Sequence, residues 1–341
     1  MGKYLKYLCI AIPFSIYFRF SGNDLSMFFA ACVSIIPLAG LMGEATENLA
    51  CHTGERVGGF LNATFGNATE LLITVFALRA GLFDVVKASI AGSILGNILL
   101  VLGLSILVGG IKNGEQTFDR VHFNNQTSLL FLAIIALIIP AVFFQSEQQH
   151  HALVGFSLII AIILLILYFA GLLFAMGRES SEICEMEISQ WNRSKSIMFL
   201  ALSTVLIAME SEFLVSGIES VTEALGWSQF FIGIIIIPII GNAAEHFTAI
   251  TVALKNKMNL SFEIAVGSST QIAMLVTPIL VLLSFAFGSP MTMIFNYHEI
   301  VVLALAILIA KFISSDGESN WLEGALLVAA YLIIAIAFFF L

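Results

Sequence analysis

Apolar stretches long enough to cross a bilayer follow one another along almost the whole of this 341-residue chain. A hydrocarbon layer is ~30 Å thick and a helix rises ~1.5 Å per residue, so about 20 apolar residues span it. Eleven stretches are read, at 4–19, 26–43, 57–79, 85–109, 127–145, 151–176, 196–217, 228–254, 260–286, 297–313 and 321–341. In lipid the backbone finds no water, so only helices or closed barrels can cross. The alternating pattern of barrel strands is absent. The expectation is an all-α membrane protein of about eleven transmembrane helices. Charged residues are 11% of the chain against 59% hydrophobic, roughly half the charge of a soluble domain. The connections are short and leave no room for an extramembrane domain, so no nucleic-acid partner is expected.

Four scattered cysteines (Cys9, Cys32, Cys51, Cys184), with no CxxC pair, point to neither a zinc site nor a disulfide framework. Lys3 and Lys6 precede an apolar stretch as in a signal peptide, but Phe18-Arg19-Phe20 follows instead of a small-residue cleavage site. A retained first helix is expected. Eleven Lys and Arg fall on the side of the N-terminus, and three (Arg19, Arg79, Lys87) on the other. The positive-inside rule then puts the N-terminus in the cytoplasm and the C-terminus outside.

Inside this frame a motif occurs twice, as Gly66-Asn67-Ala68-Thr69-Glu70 and Gly241-Asn242-Ala243-Ala244-Glu245. Gly92-Ser93 and Gly267-Ser268 each follow 26 residues after the motif glycine. An ionisable residue at bilayer depth costs roughly 2.5 to 3.5 kcal/mol on insertion scales, so it faces a pathway or a partner. One copy alone could be helix packing, with glycine at a crossing and glutamate bonded to a neighbour. Two copies with one downstream spacing argue for a duplicated ion-transport site.

The chain therefore divides into an N-terminal helix (1–22), a first five-helix repeat (23–176), an acidic linker (177–195) and a second five-helix repeat (196–341). Five is odd, so the repeats insert with opposite orientation. Asn67 and Glu70 are three residues apart, as are Asn242 and Glu245, so amide and carboxylate share a helix face. Gly66 and Gly241 lie one turn earlier, where a missing side chain lets an ion reach the backbone carbonyl. Pro238 withdraws a donor from the carbonyl of Ile234 and favours a kink beside the site; Ala63, between Asn62 and Thr64, takes its place in the first repeat. The returning helices supply Ser93 and Asn97, and Ser268, Ser269, Thr270 and Gln271. Carboxylate, carbonyl and hydroxyl oxygens suit a hard cation, calcium above all.

A second set lies nearer the helix ends. Glu44 and Glu47 are placed at the cytoplasmic end of the second helix, and Glu210 and Glu212 towards the outer end of the seventh. They read as gating or proton-coupling residues, one vestibule on each side, or as markers of where lipid stops. His246 is a proton-linked neighbour of Glu245 or a packing residue. His150 and His151, beside Glu147, read as plain surface, and Glu179, Glu182, Glu185 and Glu187 as a solvated linker or a regulatory acidic helix.

Charge balance gives a mechanism. Two mid-depth glutamates sum to zero with one Ca²⁺ and also with two protons. Empty, they leave two charges in a poorly solvated space. The occluded transition passes when loaded with either cation set and is blocked when empty, which is obligatory exchange.

At these residues the chain resembles a cation/proton exchanger of the calcium/cation antiporter superfamily. The resemblance runs from Gly66 to Leu78 with Ala91-Gly92-Ser93, and from Gly241 through His246 and Gly267-Ser268-Ser269-Thr270-Gln271 to Pro278. It implies an antiporter, not an enzyme, with no cofactor, that exchanges cytosolic Ca²⁺ for protons by alternating access. Calcium would lie between Glu70, Glu245 and the carbonyls of Gly66 and Gly241, with Glu47 and Glu212 on moving gate helices. The long cytosolic N-terminal tail of many plant and fungal relatives is absent, which points to a prokaryotic cell membrane. Partners are then calcium, protons and the bilayer; a homo-oligomer is compatible with the chain. A sodium/calcium exchanger is the alternative, though Ser268-Ser269-Thr270 lack the aspartate that sodium coupling would favour. A cation channel would need a repeated carbonyl filter. An intramembrane hydrolase would need a nucleophile and base within the helices, and Asp24, Asp84, Asp119 and Asp316 fall in loops or at helix ends.

Overall fold

The computed structural model describes residues 5–53, 57–58, 61, 64–143, 150–177, 191–314 and 316–341. The described residues are almost entirely helical, which satisfies the backbone within each segment as lipid demands. After a 3₁₀ turn at Leu5–Ile10 come α1 (Ala11–Ser21), α2 (Asp24–Thr53), α3 (Ala68–Arg79) and the long α4 (Phe83–Asn113). Next are α5 (Arg120–Phe143), α6 (His150–Gly177), α7 (Arg193–Ser216) and α8 (Ile218–Leu225). The second half continues with α9 (Gln229–Gly241), α10 (Ala243–Leu254), α11 (Met258–Ala286), α12 (Tyr297–Ile313) and α13 (Trp321–Phe339).

Among the described residues seven helices are long and apolar enough to cross a membrane, and the bent pair α9–α10 makes eight. Expected segments 4–19, 57–79 and 297–313 coincide with helices of 11, 12 and 17 residues, too short to meet that length. Ile159, Ile163, Ile166 and Leu173 of α6 are exposed, an apolar face suited to lipid. Much of the acidic linker, with Glu179, Glu182, Glu185 and Glu187, lies outside the described residues, as do Asn62, Ala63 and Glu147 and the side chains of His150 and His151.

Helix ends follow local chemistry. Gly22 closes α1 at φ 73°, and the Asn23 side chain accepts from Ser26 N–H to open α2. Asn296 and Asn320 open α12 and α13 with capping boxes completed by Glu299 and Glu323. The helix α2 corrects one expectation: it runs on to Thr53, so Glu44 and Glu47 lie within it and not at its end. Ala45, Thr46 and Leu49 are buried there, which gives the polar stretch a packed face.

Two compact units form, and neither is one half of the sequence. The first holds Met1–Phe76, Ile166–Gly226 and Ile240–Ala244. In it α2 packs along α7, around Leu38, Met42, Leu49, Leu200 and Ile207, and α1 lies on both. The second holds Ala77–Leu165, Trp227–Ile239 and Glu245–Leu341. There α4 and α11 each contain a π-helical segment, at Gly96–Val101 and Ile272–Val276, and each segment packs on the other helix. Asn97 and Ile272 stand 31 residues beyond Gly66 and Gly241, so the two segments occupy matching places in the chain.

The second unit is also held by glycine. A methyl at Gly103 would lie 2.8 Å from Leu327 Cβ, and one at Gly110 2.6 Å from Trp321 N, so α4 and α13 pack nearly backbone to backbone. We expect Gly103→Ala to cost about 1 to 2 kcal/mol by overpacking. A lower melting midpoint of the detergent-purified variant checks this, and an unchanged midpoint would show the helices are not so close.

Candidate cation site

Gly66 and Asn67 form a turn that ends one helical stretch, and α3 begins at Ala68. Leu71 N–H donates to Asn67 O (3.0 Å), which starts the helix. Glu70 thus falls in the first turn of α3, where unpaired N–H groups and the helix dipole favour a carboxylate. The second half repeats this. The helix α9 ends at Gly241, α10 starts at Ala243 with a bend of 58°, and Glu245 lies in its first turn. Such breaks free backbone carbonyls at the end of the preceding helix, which suits cation binding only where protein or water surrounds them.

In the first unit Glu70 is fully buried and Asn67 nearly so. Asn242 Nδ2 donates to Glu70 Oε2 at 3.4 Å, so the amide of one motif reaches the carboxylate of the other. Gly241 lies against Glu70, and a methyl there would be 3.8 Å from its Cα. Thr74 Oγ1 donates to Glu70 O at 2.8 Å and steadies the turn.

In the second unit Ser268 Oγ donates to Glu245 Oε2 at 2.7 Å. Ser93 and Asn97 are buried on α4, while Glu245 and Gln271 are half-buried. His246 is half-buried, and its Nε2 has no hydrogen-bond partner among the described residues. The Asn242 amide beside Glu70 and the Ser268 hydroxyl beside Glu245 are neutral, and their oxygens could turn towards a hard cation.

The residues set nearer the helix ends diverge. Glu47 and Glu212 are exposed, and Glu44 is half-buried with its carbonyl bonded by Asn48 Nδ2 (2.8 Å). Glu210 is fully buried and meets Ser15 of α1. Sequence reasoning passed over Ser15 because the first helix stands outside the repeats; the signal was the one serine in the apolar run 4–19. It also passed over the π-helical segments, whose residues carry no mark of them.

Comparison with known proteins places these features in context. The family model for sodium/calcium exchanger proteins matches residues 24–177 and 195–340. The chain is 46% identical to the Ca²⁺/H⁺ antiporter of Aphanothece halophytica, over 93% of this chain and 91% of that one. It is 46% identical to the Ca²⁺/H⁺ antiporter ChaA of Bacillus subtilis (strain 168), over 92% of each. The solved structure of native YfkE matches with a TM-score of 0.88 at 44% identity, covering 99% of this chain and 100% of that one. The crystal structure of the H⁺/Ca²⁺ exchanger CAX, 15% identical, shares the fold with a TM-score of 0.77 over 98% of this chain and 91% of that one.

Proposed function

The chain belongs to the sodium/calcium exchanger protein family, and from its likeness to named Ca²⁺/H⁺ antiporters we propose that it exchanges Ca²⁺ for protons across a membrane. It is a multi-pass calcium/proton antiporter. The observation that carries this is 46% identity, sustained over 93% of the chain, to a relative named as such an antiporter. Calcium and protons are its cargo; it uses no cofactor and catalyses no covalent step.

The finer reading follows from the residues. Glu70 and Glu245 supply the carboxylates that calcium and protons compete for. Gly66 and Gly241 offer carbonyls, and Asn67, Asn242, Ser93, Ser268 and Gln271 offer neutral oxygens. Glu44, Glu47, Glu210, Glu212 and His246 serve access and proton coupling. Eleven helices, one plus two inverted repeats of five, put the N-terminus in the cytoplasm and expel cytosolic calcium as protons enter. The neutral set around Ser268 favours protons over sodium as the counter-ion.

Calcium uptake into inside-out vesicles tests the reading. Uptake should follow an acid interior, vanish when a protonophore collapses the gradient, and ignore sodium. Uptake driven equally by a sodium gradient alone would replace it with sodium/calcium exchange.

A further inference from the structure

The carboxyl of Glu210 is sealed among α1, α2 and α7, in the first unit, away from both motif glutamates in the chain. Its residue is 0% exposed, as is Ser15 of α1. Ser15 Oγ lies 2.7 Å from Glu210 Oε1 and 2.8 Å from the carbonyl oxygen of Ile12. Glu210 Oε2 is buried and has no hydrogen-bond partner among the described residues.

A hydroxyl carries one hydrogen, and here two oxygens lie within its reach. Both contacts are full, near-linear hydrogen bonds at once only if the carboxyl brings a hydrogen of its own; otherwise the one hydroxyl hydrogen is shared and each bond is weakened. Glu210 Oε1–H then donates to Ser15 Oγ, whose hydrogen goes to Ile12 O. If the carboxyl gives its proton to water, the Ser15 hydroxyl turns from Ile12 and donates to Oε1. That leaves Oε2 ionised and without a donor in a dry bundle, at the cost of an unsatisfied buried charge.

Among the described residues the other charged and titratable groups offer Glu210 no ion pair. Arg19 on α1 is one turn beyond Ser15, with its guanidinium over the Phe213 ring at 6.0 Å. Cys32 on α2 is buried, and Asp24 starts the same helix. Glu212 on α7 itself and Glu219 and Glu223 on α8 are exposed.

We propose that Glu210 is a proton-binding site in its own right, apart from the transported-cation site, and that its proton clasps α1 to α7. With the proton bound the chain Glu210–Ser15–Ile12 is complete and α1 is seated. With the proton lost, α1 must yield to let water reach Oε2. The helix α7 packs along α2, which carries Glu44 and Glu47, so the clasp would make movement of this bundle sensitive to pH.

Infrared difference spectroscopy of the purified protein across a pH titration reads the site without any transport. The carbonyl stretch of a protonated carboxylic acid should disappear on alkalinisation. Glu210→Gln should lack that band, and Ser15→Ala should shift it, with Ser15→Thr restoring it. A band unchanged by Glu210→Gln overturns the proposal, and so does one unmoved by Ser15→Ala if Glu210→Gln fails to fold. In vesicles Glu210→Gln should lose one titration step from the pH–rate profile and keep its calcium affinity. A collapse of calcium affinity instead would put Glu210 in the cation site and overturn the proposal. Should the wild type fail to exchange calcium for protons, the function falls while the infrared result still decides the clasp.

Discussion

Glu70→Gln and Glu245→Gln should each abolish calcium–proton exchange while the protein still inserts and folds. Glutamine keeps the shape of the side chain, and its carbonyl oxygen can still accept from Asn242 in one case and Ser268 in the other. What it loses is charge and the ability to titrate. A site with one carboxylate and one Ca²⁺ carries a net positive charge where two carboxylates would carry none. An uncompensated buried charge costs about 4 kcal/mol, which slows the loaded transition about 1,000-fold. The proton-loaded return is harmed differently, since the glutamine has no proton to release and the two-proton cycle cannot close. Calcium flux into proteoliposomes under a pH gradient reads the loss, and a monodisperse size-exclusion profile shows that folding survives. Either variant transporting at close to the wild-type rate would remove that glutamate from the transport site.

What the sequence revealed depended on how directly a residue type constrains its surroundings. Long apolar runs without the alternation of barrel strands, in a chain with few charges, read as membrane helices, so the helical class was plain. The Gly66-Asn67 and Gly241-Asn242 pairs interrupt such runs with residues that favour turns, and both coincide with breaks ahead of a glutamate. The consequence of Pro238 was only partly legible. Its missing N–H was expected to kink the helix beside the site. The segment before it, Ile232–Ile236, is π-helical, and the 58° bend falls at Asn242, four residues later. A π turn already shifts the hydrogen-bond ladder there, so the lost donor need not show as a sharp kink. Glu44 and Glu47 misled because polarity marks where lipid may end and not where a helix does; Ala45, Thr46 and Leu49 keep that turn packed. Glu210 could not have been matched to Ser15, 195 residues away, without the packing of α1 on α7.

The two Gly-Ser pairs look equivalent in the sequence, yet alanine should be far worse at Gly92 than at Gly267. Around Gly267 nothing described lies where a methyl would go. At Gly92 a methyl would fall on the carbonyl oxygen of Ile234 and within 2.7 Å of Pro238 Cγ. Pro238 has no N–H to give that carbonyl, which meets the bare Cα of the crossing helix in a weak C–H···O contact. Gly233 completes the crossing from the other side: a methyl there would lie 2.9 Å from Ala88 Cβ and 3.0 Å from Val85 O. The approach is thus backbone to backbone at neighbouring points, and no flexible side chain is there to give way. Gly92→Ala should cost about 3 kcal/mol, the upper end of ordinary overpacking, and should displace the adjacent Ser93 along with α4. Pro238→Ala in the same chain should recover part of that loss, because it removes Cγ and returns an N–H that can draw the Ile234 carbonyl back into its own helix. Thermal unfolding of the three detergent-purified variants orders the effects, with Gly92→Ala lowest, the double variant between, and Gly267→Ala near the wild type. Equal midpoints for Gly92→Ala and Gly267→Ala would mean that α4 and α9 do not meet at this glycine.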